Sequence, residues 1–98
     1  MPSLNDLARR PSVVKQEFVD AIETLASNGK DLGFLEASAV IAIMGRCDPP
    51  LARKDLEMLM GYCRRASTDL QHSSKTYAAQ DWSKILGAVE ERLARMPG

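Results

Sequence analysis

The chain has 98 residues, 45% of them apolar and 27% charged, which is the balance of one small globular domain. Its 13 basic and 13 acidic residues cancel, so the basic excess of a dedicated nucleic-acid binder is missing and such binding is not expected. With only two cysteines and no apolar run near the roughly 20 residues that span a bilayer, the sequence predicts a cytoplasmic protein without a disulfide framework or membrane contact.

The first predicted element is a helix over residues 12–27, which follows a loosely ordered lead-in over residues 1–11. Pro11 disfavours helix at the residue before it, which separates the two segments. Apolar residues then recur at the spacing of one helical face: Val14, Phe18, Ala21, Ile22 and Leu25. Asn28 and Gly29 tolerate the left-handed conformation that closes a helix. Residues 12–98 are predicted to form a single helical domain.

The second predicted element covers residues 32–47 and contains an unbroken apolar run from Ala39 to Met44. Spacing alone does not assign such a run, since its β-branched residues favour a strand and its alanines favour a helix. No other segment has the pattern of a strand, so we predict a buried central helix. A helix that is apolar on nearly all sides needs cover from several directions, and a homodimer partner or another protein would supply part of it.

Two further helices complete the prediction. Asp48 and the prolines after it break the chain, with Asp48 as the expected cap of a helix over about residues 51–70. A polar loop over residues 71–75 leads to the last helix, which begins at Thr76 or Asp81 and keeps one apolar face for four turns. About four helices joined by short loops predict an all-α compact bundle with antiparallel packing.

The sequence offers little catalytic chemistry. It has one histidine, His72, and no phosphate loop, dinucleotide fingerprint or nucleophile motif, so no metal or organic cofactor is implied and enzyme activity is not expected. Cys63 falls on the apolar stripe of the third helix, where it is expected to be buried. Cys47 follows Arg46 at the proline break and is expected to be exposed.

Arg65 and His72 are separated by six residues at the end of the third predicted helix. Arginine followed by four to six residues and then histidine resembles the catalytic motif of the HEPN family of helical ribonucleases. In that family the motif is usually shared across a dimer, with the histidine as acid or base and the arginine on the phosphate. The resemblance implies a dimeric ribonuclease and covers these two residues only, because Ala66 replaces the polar residue that generally follows the arginine.

Two basic pairs, Arg53 with Lys54 and Arg64 with Arg65, lie eleven residues apart, about three helical turns. They suggest a nucleic-acid-binding regulator as a further alternative. Acidic residues interleave with them and favour a solvated face with weak ion pairs: Asp55, Glu57 and Asp69.

Met58 and Tyr62 do not fit on the narrow apolar stripe of the third helix. An adaptable methionine beside an aromatic residue is typical of surfaces that accept another helix, and Trp82 is placed in the core or at such an interface. The sequence therefore predicts a protein-binding regulator, inhibitor or adaptor that covers a surface of an enzyme or transcription factor, as small bacterial helical proteins do, and that forms a homodimer. The predicted contact residues are Met58, Tyr62, Trp82, Arg53 and Arg65.

Overall fold

The computed structural model of the chain describes residues 4–28, 34–73 and 76–96. In these ranges the helices are α1 (Leu4–Ala8), α2 (Lys15–Asn28), α3 (Phe34–Met44), α4 (Arg53–His72) and α5 (Thr76–Arg95). A two-stranded parallel ladder joins β1 (Val13–Val14) to β2 (Cys47–Asp48). The predicted all-α bundle is confirmed, with one short helix more than expected. The antiparallel direction of the helices stays a prediction.

The short ladder was missed by the sequence analysis, which found no strand. Val13 pairs with Cys47 and Val14 with Asp48, and the backbone N–H of Val13 donates to the carbonyl of Arg46 over 3.0 Å. These pairings set the start of α2 at Lys15 rather than at residue 12 and the end of α3 at Met44 rather than at residue 47. Two residues are too few to show the alternation by which a strand is recognised.

The predicted lead-in over residues 1–11 contains α1, and the structure describes it from residue 4 onwards. Leu4 and Leu7 are buried in the core, where α1 packs against α3. The guanidinium of Arg46 donates to the carbonyl of Ala8 over 2.8 Å and ties the end of α1 to the turn after α3. The apolar surface of α3, which the sequence analysis expected a partner to cover in part, is therefore partly covered by α1 and α5.

The most extensive helix contact among the described residues joins α4 to α5. Both helices have 20 residues and bury one apolar stripe each. Ser67 lies in this contact, with its hydroxyl 3.4 Å from both the carbonyl of Ala79 and the hydroxyl of Ser83. The large fully buried side chains of the core come from every helix: Leu7, Phe18, Ile22, Val40, Ile43, Leu56, Leu59, Trp82, Ile85 and Val89.

The start of α4 differs from the prediction, because its N-cap is Ala52 and not Asp48. Asp48 lies in β2, and its peptide bond to Pro49 is cis. The carboxylate of Asp55 accepts the backbone N–H of Ala52 over 2.9 Å and binds the ammonium of Lys15 at 3.0 Å. Asp55 therefore satisfies one end of α4 and connects that end to the first residue of α2.

Asp55 is expected to make part of the free energy of unfolding depend on pH in the acidic range. The Ala52 N–H and then Lys15 lower its pKa below the usual 3.8. The stabilisation is present above the pKa of the unfolded chain, near 4, and is lost as the pH falls through the lower folded pKa. Replacing Asp55 with Asn should remove about 1 kcal/mol at pH 7 and flatten the fall in stability below about pH 4. Urea unfolding at several pH values measures both effects.

The matched control is Glu57→Gln, which removes an exposed carboxylate from the same helix. That variant should retain the full acid dependence of the wild-type chain. Parallel stability curves for the wild-type chain and Asp55→Asn would contradict the role given to Asp55.

Candidate functional site

One side of α4 faces solvent because the opposite side supplies the buried stripe, which contains Leu56, Leu59, Cys63, Ala66, Ser67 and Leu70. We call the exposed side the α4 outer face. It contains Arg53, Lys54, Glu57, Met58, Gly61, Arg64, Arg65, Thr68, Asp69, Gln71 and His72. At about 100° per residue these positions span somewhat less than half of the helix circumference, so they form one continuous surface.

Met58 is the large apolar residue of this face, with 39% of its surface exposed. It falls within about 60° of Tyr62 and Arg65 on the helix, at the i, i+4 and i+7 positions that share one side. Three of the five predicted contact residues are therefore neighbours along α4.

Tyr62 lies at the edge of the α4 outer face and is half-buried against the core. Its hydroxyl donates to the carboxylate of Glu23 on α2 over 3.2 Å. Burial first, and the Glu23 charge second, raise the pKa of Tyr62. The ring is therefore held in place between α4 and α2, as a fixed wall beside Met58.

Trp82 is fully buried on the inner side of α5. The alternative that placed Trp82 at an interface is therefore wrong, because its ring has no accessible surface. Its indole N–H has no hydrogen-bond partner among the described residues. The periodicity of α5 left both placements open, since a core and an interface select the same apolar side of a helix.

Arg53 is exposed but lies about 140° around the helix from Met58. It shares its side of α4 with Arg64, whereas Lys54 shares its side with Arg65. All four bases are exposed, as a nucleic-acid-binding surface would also require. The nucleic-acid alternative stays a prediction.

The two residues of the HEPN-like pattern are both on α4, which continues to His72 instead of ending before a loop at residue 71. Arg65 and His72 are exposed and seven residues apart, on nearly the same side and about 10 Å apart along the axis. The rest of the predicted loop, residues 74 and 75, lies outside the described residues. The ribonuclease alternative also stays a prediction, and loss of RNA cleavage in His72→Ala would test it.

Both cysteines are buried. This confirms the prediction for Cys63 and corrects the one for Cys47, which the ladder to β1 holds against the core. Burial raises the pKa of Cys63 to about 12 and also raises the pKa of Cys47, whose thiol donates to the carbonyl of Ile43 over 3.5 Å. Neither thiol has the lowered pKa and open surroundings of a reactive cysteine.

Gly61, whose residue type already suggests a close approach of another helix, lies three residues after Met58. A Cβ atom placed on it would meet nothing within 4 Å. The sequence analysis did not use one further feature of the exposed surface. Tyr77, with 85% of its surface exposed, lies outside the apolar stripe of α5. The position of Tyr77 on the helix relative to Trp82 and Ile85 was the available signal.

In the described part of the chain, no three acidic, histidine or cysteine side chains cluster as a metal site would require. No helix there has the length and apolar character needed to cross a membrane. Comparison with protein-family models, curated proteins and solved structures finds no match for this chain. Any function of the α4 outer face must therefore be argued from the geometry of that face.

The burial of Trp82 is tested by two substitutions. Trp82→Ala should lower the free energy of unfolding by about 3–5 kcal/mol, since it removes the largest fully buried side chain. Trp82→Phe should lower the free energy of unfolding by only about 1–2 kcal/mol. The smaller ring leaves a small cavity, but no hydrogen bond is lost, since the indole N–H has no partner among the described residues. Denaturant unfolding measures both values. Trp82 is the only tryptophan, so its native fluorescence should also be blue-shifted; emission at the wavelength of a solvated indole would contradict its burial.

The thiols should be protected in the folded chain. An aromatic disulfide reagent should react with neither Cys47 nor Cys63 except through opening of the structure, and with both in denaturant. Raising the pH from about 7 to about 9 should leave Cys63 protonated, since its pKa lies near 12. The single variants Cys47→Ser and Cys63→Ser separate the two sites, and rapid native modification of Cys47→Ser would contradict the burial of Cys63.

Proposed function

We propose that this chain is a small protein-binding module that uses the α4 outer face to cover a functional surface of another protein. The observation that carries the proposal is Met58, an accessible and adaptable apolar side chain on a helix that already buries a complete stripe elsewhere. Methionine fits irregular partner surfaces because its side chain is unbranched and polarisable.

The surroundings of Met58 support a binding role. Tyr62, fixed by Glu23, forms one wall. Gly61 leaves the helix backbone uncovered on the adjacent turn, which allows a partner to approach closely. An accessible apolar residue beside a fixed aromatic ring, with arginines at the edge, has the composition of an interface centre and its rim.

The biological role that we propose is regulation or inhibition of an enzyme or transcription factor in the cytoplasm. Binding of this kind would inhibit the partner by covering its functional surface rather than by catalysing a reaction on it. We also propose a homodimer, to which the exposed Ile41 on α3 would contribute a second contact surface, separate from the α4 outer face.

The test replaces Met58 with Asp. Since the side chain is exposed, the change should leave the free energy of unfolding within about 0.5 kcal/mol, while a carboxylate placed against an apolar partner surface should reduce capture of the partner about tenfold. Tagged wild-type and variant chains are incubated with nuclease-treated lysate of the native cell, and captured proteins are quantified by mass spectrometry.

The matched control is Tyr77→Asp, since Tyr77 is 85% exposed, lies on α5 and belongs to neither proposed contact surface. A protein captured in near-stoichiometric amount by the wild-type chain and by Tyr77→Asp, but lost with Met58→Asp, is the expected result. Equal capture by all three chains would remove the α4 outer face from the proposal.

A further inference from the structure

The four bases of the α4 outer face have no acidic group within salt-bridge distance in the described part of the chain. None of Arg53, Lys54, Arg64 and Arg65 forms a salt bridge or side-chain hydrogen bond there. Bases elsewhere do so: Arg10 with Glu17, Lys15 with Asp55 and Arg95 with Glu91. We call the pairs Arg53–Lys54 and Arg64–Arg65 the basic flanks.

The basic flanks lie on either side of the apolar centre. The two pairs are eleven residues apart, so they fall within about 20° of each other around the helix and about 16 Å apart along it. Met58 and Gly61 lie between them along the helix axis. Around the helix, Lys54 and Arg65 lie within about 40° of Met58, whereas Arg53 and Arg64 lie about 120–140° away, at the other edge of the α4 outer face. Gly61 has no side chain, and a Cβ atom placed on it would meet nothing within 4 Å, so the helix backbone is open to a partner there; we call this position the notch. The order along the helix is therefore base, apolar anchor with notch, base.

The balance of charge on this face is positive, although the whole chain is neutral. The acidic residues of the α4 outer face are Glu57 and Asp69, against four bases. The third carboxylate of α4, Asp55, is compensated by Lys15. A partner with carboxylates opposite the basic flanks would gain favourable contacts and a faster encounter.

Two other occupants fit this face less well. A nucleic-acid backbone would place phosphates against the exposed thioether of Met58 and beside Glu57, where neither contact is favourable. A second copy bound through the same face would form a two-fold interface, and the basic flanks of one copy would face those of the other. A nucleic acid would therefore leave Met58 without an apolar contact, and a second copy would leave the basic flanks without opposite charges.

We infer that the α4 outer face binds an acidic amphipathic helix of another protein, with an apolar side chain of that helix against Met58 and Gly61 and carboxylates opposite the basic flanks. A near-parallel crossing of about 20° keeps two helices in contact over this length. The partner helix would then have acidic residues about eleven positions apart with the apolar anchor between them. This inference rests on the proposed function and specifies the chemistry of its partner.

The first experiment selects binders from a displayed library of 20-residue helical peptides, randomised on one face, with the intact folded chain as target. The expected result is enrichment of peptides with a central apolar residue and acidic residues toward both ends of the same face. Enrichment of apolar peptides without acidic residues, with binding still lost in Met58→Asp, would overturn the inference and leave the proposed function standing. Peptides that bind Met58→Asp as well as the wild-type chain would overturn both.

The second experiment measures the affinity of one enriched synthetic peptide for charge variants. Arg65→Glu should weaken binding about tenfold, and more at low than at high ionic strength. Arg9→Glu is the matched control, since it makes the same charge change at an exposed arginine outside α4, and it should bind within about twofold of the wild-type chain. Equal weakening by both variants would show a general charge effect and overturn the inference.

A third pair of variants tests the notch. Gly61→Ala fills it with a methyl group and should weaken peptide binding, whereas Gly87→Ala places a methyl in equally open space on α5 and should not. Sedimentation and a duplex DNA titration on the same chains address the other occupants. A dimer lost in Arg65→Glu, or DNA binding at physiological salt that depends on the basic flanks, would overturn the assignment to an acidic helix.

Discussion

The packing of α4 against α5 is the contact on which the rest of the molecule depends. Each helix has 20 residues and is amphipathic, so neither is stable in water without an apolar surface against its buried stripe. Each helix buries one side, which on α5 includes the fully buried Trp82, and leaves the other side facing solvent. The other helices complete the core around this pair, with α2 packed against α4 and α3 against α5. The α4 outer face is the side that remains after this packing is satisfied.

A second set of contacts positions the start of α4 and with it the first basic flank. The short ladder holds Cys47 and Asp48 beside Val13 and Val14. The ion pair of Lys15 with Asp55 then connects the first turn of α4 to α2. The start of α4 is thus supported by elements from the N-terminal third of the sequence. A partner that binds along α4 would meet a surface whose first turn is connected to α2 and preceded by the ladder.

The helices with regular apolar spacing could be predicted from sequence, and those residues whose placement depends on distant contacts could not. The stripe of α4 was recognised from Leu56 to Leu70, and the exposure of Met58 followed from it. Cys47 was misplaced because only its pairing with Val13, 34 positions earlier in the chain, makes it a core residue. The N-cap was misassigned for a related reason: Asp48 suits a cap by type, but the ladder uses its backbone and Asp55 acts at Ala52 instead.

The sequence by itself determined the all-α class, the presence of the two long helices and the candidate face on the third predicted helix, because these depend on residue type and on the 3.6-residue period of a helix. Only the tertiary structure decided that Trp82 is buried, that Tyr62 is held by Glu23 and that the four bases of α4 form no salt bridge in the described part of the chain. The physical reason is that periodicity defines which side of a helix is apolar, whereas burial and charge compensation are set by the elements that pack against it.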